Sequence, residues 1–193
     1  MFFHGTWLAV AIFVLNLALP SAVLHAADDP ARAAGPVETP TAKTASTSLR
    51  VVDESGKTHA ITAQDFAKLP HRSVSAKIGQ ADSTCEGVAL VDLLESVGVA
   101  FGKDLRGPRA ANVIVLEAQD GYRTALSQFE IDPATNDKVA LVVDRRDGKQ
   151  LSDQEGPYRL IMPDEKHPVR WIRMLRTIRV LNLKDTPLSE SHQ

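Results

Sequence analysis

Apolar residues come in short runs along this chain, each closed by glycine, proline or a polar turn. That rhythm predicts several strands and a few short helices. The clearest stretch is Asn112–Ser127 (NVIVLEAQDGYRTALS), where two β-branched runs flank Gln119-Asp120-Gly121. Asp-Gly favours a tight hairpin because glycine takes a positive φ without steric cost. Val113, Ile114, Val115 and Leu116 are all apolar, so this strand is expected inside a sheet. Leu49–Asp53, Thr58–Ile61, Arg72–Ile78, Val139–Val143, Gly156–Pro163 and Thr177–Leu183 read as further strands. The polar stretch Gly79–Gly87 reads as a loop containing Cys85, and Asp144–Gly148 as a turn containing Arg145 and Arg146. Asp164–Pro168, which includes His167, reads as a second polar loop.

Helical periods are fewer. Thr62 is placed to cap Ala63–Leu69, which Pro70 ends. Val88–Val97 carries apolar residues at 90, 91, 93, 94 and 97, the spacing of one helix face, and Gly98 stops it. Ser127 is placed to cap the single turn Gln128–Ile131, and Val169–Leu175 reads as a helical turn carrying Trp171. Strands broken by so few helices predict an α+β domain rather than a regular βαβ series.

Two segments change this picture before the domain begins. Trp7–Leu19 is an apolar core of signal-peptide length, followed by Pro20-Ser21 and the small residues Ala22, Ala26 and Ala27. Residues 1–26 are therefore expected to be a cleaved leader, with the mature protein periplasmic or secreted and free of the membrane. Residues 27–48, rich in Ala, Pro and Thr, read as a disordered linker. The domain is expected over 49–184 and a short tail over 185–193.

Composition bounds the chemistry. The 44% apolar content is that of a globular protein, and a net charge of −2 argues against nucleic acid as the partner. Cys85 is the single cysteine, which excludes an internal disulfide. Asp82 and Glu86 stand near it in sequence and oppose thiolate formation. The histidines show no zinc spacing, and no GxSxG, phosphate loop or GxGxxG is present. Charge is uneven: Val139–Asp185 holds ten Lys and Arg against seven Asp and Glu. Arginine suits oxyanion recognition, so a concavity is expected where Tyr122 and Arg123 meet basic residues from Arg145, Arg146, His167 and Arg170. Such a cluster repels itself unless an anion sits in it.

The order of several pieces resembles the molybdopterin-binding domain of the sulfite oxidase type, from about Asp65 to Val180. The pieces are Asp65-Phe66-Ala67-Lys68-Leu69-Pro70, Gly87-Val88-Ala89-Leu90-Val91-Asp92-Leu93-Leu94 and Asp120-Gly121-Tyr122. Asp147-Gly148-Lys149-Gln150-Leu151, Gly156-Pro157-Tyr158-Arg159-Leu160 and Trp171 before a last strand follow in order. The resemblance implies a mixed, barrel-like sheet with short helices. It also implies a molybdenum-bearing pterin held by basic and backbone groups, with a cysteine thiolate on the metal.

The chain departs from that pattern where the metal would bind. The family's ligand cysteine ends the strand that corresponds to Arg72–Ile78, and that strand holds no cysteine here. The segment before the helix is short, and the sequence stops soon after its last strand, where larger family enzymes carry a dimerisation domain. The expectation is an exported module of the cofactor fold without the usual metal ligand, accessory to a redox system. It would bind a small anion, a cofactor, or a redox or envelope protein partner. The alternative is a compact molybdenum-cofactor oxidoreductase with Cys85 as metal ligand. The sequence assigns no catalytic residue.

Overall fold

The computed structural model describes Ser48–Lys184; the expected leader, nearly all of the linker and the tail lie outside the described residues. Among the described residues, ten strands and two short helices follow in order: β1 (Leu49–Val52), β2 (Thr58–Ile61), α1 (Ala63–Lys68), β3 (His71–Ile78), β4 (Ala81–Ala89), α2 (Leu90–Glu95), β5 (Asn112–Ala118), β6 (Arg123–Ser127), β7 (Leu141–Arg146), β8 (Lys149–Gln150), β9 (Arg159–Ile161) and β10 (Leu175–Asn182). Short 3-10 segments at Gly102–Asp104, Gly107–Ala111, Gln128–Glu130 and Pro168–Arg170 lie in the connections.

The strands form two sheets. The first runs β2-β1-β10-β5-β6 and is mixed, because β1 pairs parallel to β10 while its other pairs are antiparallel. In the second, β3, β4 and β7 pair in antiparallel order, and β7 takes β9 along Leu141–Val143 and β8 along Arg145–Arg146. Neither sheet closes on itself, which corrects the expected barrel-like sheet. With two residues in β8 and three in β9, that side of β7 is too short to carry pairing around to the other sheet.

The main core lies between the sheets. Leu49, Val51, Ile114, Leu116, Ile178 and Val180 from the first meet Val88, Val142 and Leu160 from the second. Phe66 of α1 and Leu90, Leu93 and Leu94 of α2 close its ends. Each such side chain is worth roughly 1.5–3 kcal/mol when fully buried. The Thr62 side chain accepts from Asp65 N at 3.1 Å and caps α1 as expected, and Leu69 N closes the helix before Pro70. The helix read as Val88–Val97 is shorter, because Val88 and Ala89 are spent as the last residues of β4.

The largest correction concerns Gly79–Gly87. It is a hairpin rather than a loop: Gly79 turns at φ +66, and Ala81–Ala89 pairs with β3 on one side and β7 on the other. Its run of Asp, Ser, Thr and Glu hides a strand whose polar groups lie at the rim, while Cys85, Gly87, Val88 and Ala89 turn inward. A bulge at Glu86/Gly87 lets β4 approach β7 closely. A side chain at Gly87 would meet Val142 O at 2.0 Å. Asp144, Arg145 and Arg146, read as turn residues, continue β7, and the turn proper is Asp147-Gly148, with φ of +52 and +74. Positive φ at both positions is the geometry of a two-residue hairpin turn.

Candidate functional site

A cavity of about 440 Å³ opens where the end of β3, the β5–β6 turn and the segment Pro168–Met174 come together. Ile78, Trp171 and Met174 give it an apolar side, and Glu155, Arg159 and Arg173 a charged one. Asp120 and Tyr122 edge it from the hairpin. Tyr122 is 51% exposed, yet its hydroxyl donates to the Val169 carbonyl at 2.6 Å, tying the turn of the first sheet to the loop beyond β9. Two other hollows, of about 440 and 580 Å³, are as large or larger. One is lined by Asp144 and Asp153 without a cation, and the other by Arg50 and Arg176, both exposed. Neither has a buried guanidinium in its wall.

The charged side is built from register. Arg159 stands opposite Val143 across the β7–β9 pair, so both face the same way. That face carries a small second cluster of Ala76, Cys85, Leu141, Val143 and Ile161. Arg159 is only 7% exposed, and burial lowers its pKa against the opposing pull of Glu155. Glu155 pairs with the Arg159 guanidinium and also accepts from Arg146 Nη1 at 2.9 Å, so one carboxylate serves two arginines. Arg159 Nε has no hydrogen-bond partner among the described residues. Arg173, exposed on the same cavity, has no ion pair or hydrogen bond from its side chain among them.

The backbone beneath is clamped. Met174 sits at φ +49, a region that side chains seldom enter. Hydrogen bonds hold it on both sides: its N–H donates to Glu155 O at 2.8 Å, and its carbonyl accepts from Gln119 N at 2.9 Å. Leu160 N–Ile172 O and Leu175 N–Tyr158 O, each 2.8 Å, continue the seam. The indole N–H of Trp171 donates to Met162 O at 3.1 Å, so the ring offers the cavity only its apolar body.

The structure brings together only part of the basic cluster read from the sequence. Tyr122 lines the cavity, and Arg146 reaches its charged wall through Glu155. Arg123 stays on its own hairpin, paired with Glu117 at 3.1 Å. Arg145 is an exposed strand residue opposite Glu86 and Gln150. Arg170 turns to Glu165 and Glu130, and His167 is an exposed residue that opens the Pro168–Arg170 turn. The turns that flank these residues belong to different sheets: Asp120-Gly121 joins strands of the first, whereas Asp147-Gly148 and the loop Asp164–Pro168 leave strands of the second. The arginines that line the cavity, Arg159 and Arg173, lie outside the expected cluster. Arg159 was detectable as a lone charge in Tyr158-Arg159-Leu160-Ile161-Met162, an apolar strand where an unneeded cation is costly.

Cys85 lies inside β4, is 0% exposed, and burial raises its thiol pKa while Arg159 and Arg146 pull it down. A metal held by this sulfur needs a thiolate and an open side for its other ligands. Packing by Ala76, Leu141, Val143 and Ile161 supplies neither. Among the described residues, no group of three or more His, Cys, Asp or Glu is arranged to hold a metal ion. The donor set present does not fit a molybdenum centre at Cys85. Nor is any helix among the described residues long and apolar enough to cross a membrane.

No family model and no curated protein matches this sequence. In structure, the chain is similar to the sulfane dehydrogenase SoxCD from Paracoccus pantotrophus, with a TM-score of 0.53 and 15% identity. The match covers 69% of this chain and 38% of that one, so the chain spans well under half of its length. At this identity the likeness is one of fold alone.

Proposed function

We propose that this chain is an exported anion-binding module on a molybdopterin-related scaffold, accessory to a periplasmic redox system. The observation that carries the reading is the charged wall of the cavity. Arg159 is sealed in it with an unpartnered Nε, and Arg173 beside it lacks a counter-ion among the described residues. A buried guanidinium is costly unless it is compensated, and Glu155 is shared between Arg159 and Arg146. An anion entering the cavity supplies the missing negative charge, and the low dielectric at a partly closed site strengthens the attraction. Export rests on the Trp7–Leu19 apolar core and the small residues after it. The accessory role rests on the fold without a fitting metal donor.

Thermal unfolding in a panel of anions at constant ionic strength tests this. A saturable rise in Tm that is lost in Arg173→Ala supports it, and a panel without any Arg173-dependent rise contradicts it. The competing reading, a compact molybdenum oxidoreductase with Cys85 on the metal, is tested by elemental analysis. Protein purified from the periplasm of a cofactor-producing host, if it carried stoichiometric molybdenum that Cys85→Ser removed, would establish that reading instead.

A further inference from the structure

Resting on the anion-binding reading, the cavity also specifies which class of anion it takes. Charge comes first. Arg159 and Arg173 line the cavity with Glu155 and Asp120, and Arg146, paired with Glu155 from outside the lining, brings the count to three cations against two carboxylates. The balance leaves one positive charge, which a monoanion neutralises. A doubly charged oxyanion would overshoot it and face Glu155 and Asp120 at close range.

Donors come second. Sulfate or phosphate must replace a full hydration shell and needs hydrogen bonds on every side. The backbone amides of Tyr122, Trp171 and Met174 around the cavity are already used, by Asp120 Oδ1 at 3.0 Å, Pro168 O at 3.1 Å and Glu155 O at 2.8 Å. The Tyr122 hydroxyl and the Trp171 indole N–H are likewise engaged. Among the side-chain donors of the lining, the guanidinium groups of Arg159 and Arg173 remain for a ligand, and their planar N–H edges suit a carboxylate.

The opposite side is apolar. Ile78, Trp171 and Met174 line it, and Val169, 68% exposed, extends it past the Tyr122 bridge to the mouth. A bare inorganic ion leaves these surfaces wet, whereas an alkyl or aryl stem covers them. We infer that the cavity takes an amphipathic monocarboxylate, its carboxylate against Arg159 and Arg173 and its apolar stem along Ile78, Trp171 and Met174.

Calorimetric titration of the purified full chain at neutral pH and low salt, with acetate, butyrate, hexanoate, octanoate and sulfate, tests the inference. Affinity is expected to rise along the carboxylate series by about fourfold per methylene until the cavity is filled, the factor that burying one CH₂ gives. Hexanoate is expected to bind more tightly than sulfate. Arg173→Ala should abolish binding of every member. Ile78→Ser, at the half-buried end of β3, should flatten the dependence on stem length while acetate binding persists. Sulfate binding as tightly as hexanoate, or a carboxylate series flat in the parent protein, overturns the monocarboxylate class and leaves the anion site standing. If neither sulfate nor any carboxylate gives saturable, Arg173-dependent heat, both readings fall together.

Discussion

Replacing Glu155 by glutamine removes the charge that Arg146 and Arg159 share while keeping the size of the side chain. The side chains of Glu155 and Arg159 are 13% and 8% exposed, so water screens little of what is lost between them. Arg146 is 34% exposed, and its share is discounted for solvent. Breaking a buried pair by removing one partner costs about 3–5 kcal/mol, and the partial exposure of Arg146 puts this site near 3 kcal/mol. Against a total stability of roughly 5–15 kcal/mol, that is a large share. For a domain of this size it corresponds to a fall in Tm of roughly 10 °C. Urea unfolding followed by far-UV circular dichroism measures it, with the m-value unchanged if only stability moves. Arg159→Met in the Glu155→Gln background should restore part of the loss, because it removes the stranded cation. A loss below about 1 kcal/mol in Glu155→Gln would mean a solvated pair, the usual surface value, and would refute the account of the charged wall.

Three further outcomes follow from the same structure. Gly87→Ala places a Cβ 2.0 Å from the Val142 carbonyl oxygen, between two backbones that cannot step aside, and should destabilise by about 3 kcal/mol or more in urea unfolding. An unchanged midpoint would show that β4 and β7 approach less closely. Cys85, wholly buried with its thiol pKa raised, should stay unmodified by a thiol reagent at neutral pH and react fully in denaturant. Rapid labelling of the native chain would contradict this. The Asp53 carboxyl is held far below its ordinary range by the Ser55 hydroxyl first and then His59, with the amides of Lys57 and Ser55 adding. Its folded pKa is depressed, so its contribution is fully present above the unfolded value and is lost as pH falls through the folded one. Asp53→Asn should therefore be less stable than the parent at neutral pH, with the gap narrowing in strong acid; a gap independent of pH would exclude the ionised carboxylate as the cause.

Much of the fold was legible because its signals are local. Thr62, Pro70 and Gly98 mark helix ends through cap chemistry, and Asp120-Gly121 marks its hairpin through positive φ. Gly79–Gly87 was not legible because side-chain polarity reports solvent exposure rather than backbone pairing. Asp82, Ser83 and Thr84 stand near the turn end of β4, where a strand needs no apolar partner. Closure of the sheet was not legible either, since strand length at β8 and β9 is decided by tertiary pairing. At the site, the sequence indicated that Tyr122 follows a turn and that the later half is basic. It could not show which arginines meet. Arg145 and Arg146 alternate across one strand, and only Arg146 turns to Glu155, whereas Arg123 and Arg170 find carboxylates close by. Arg159 and Arg173 reach one cavity through the β7–β9 register and the clamp at Met174, both non-local.

The most direct test of the central claim uses Trp171, which lines the cavity; the chain has two tryptophans, and Trp7 lies in the expected leader. With Trp7→Phe to silence the other indole, Trp171 emission is titrated with hexanoate at constant ionic strength. A saturable change in emission is expected, absent in Arg173→Ala and retained in Arg123→Ala, whose guanidinium pairs with Glu117. A non-saturating change, or one identical in the parent and Arg173→Ala, would contradict an anion site in this cavity.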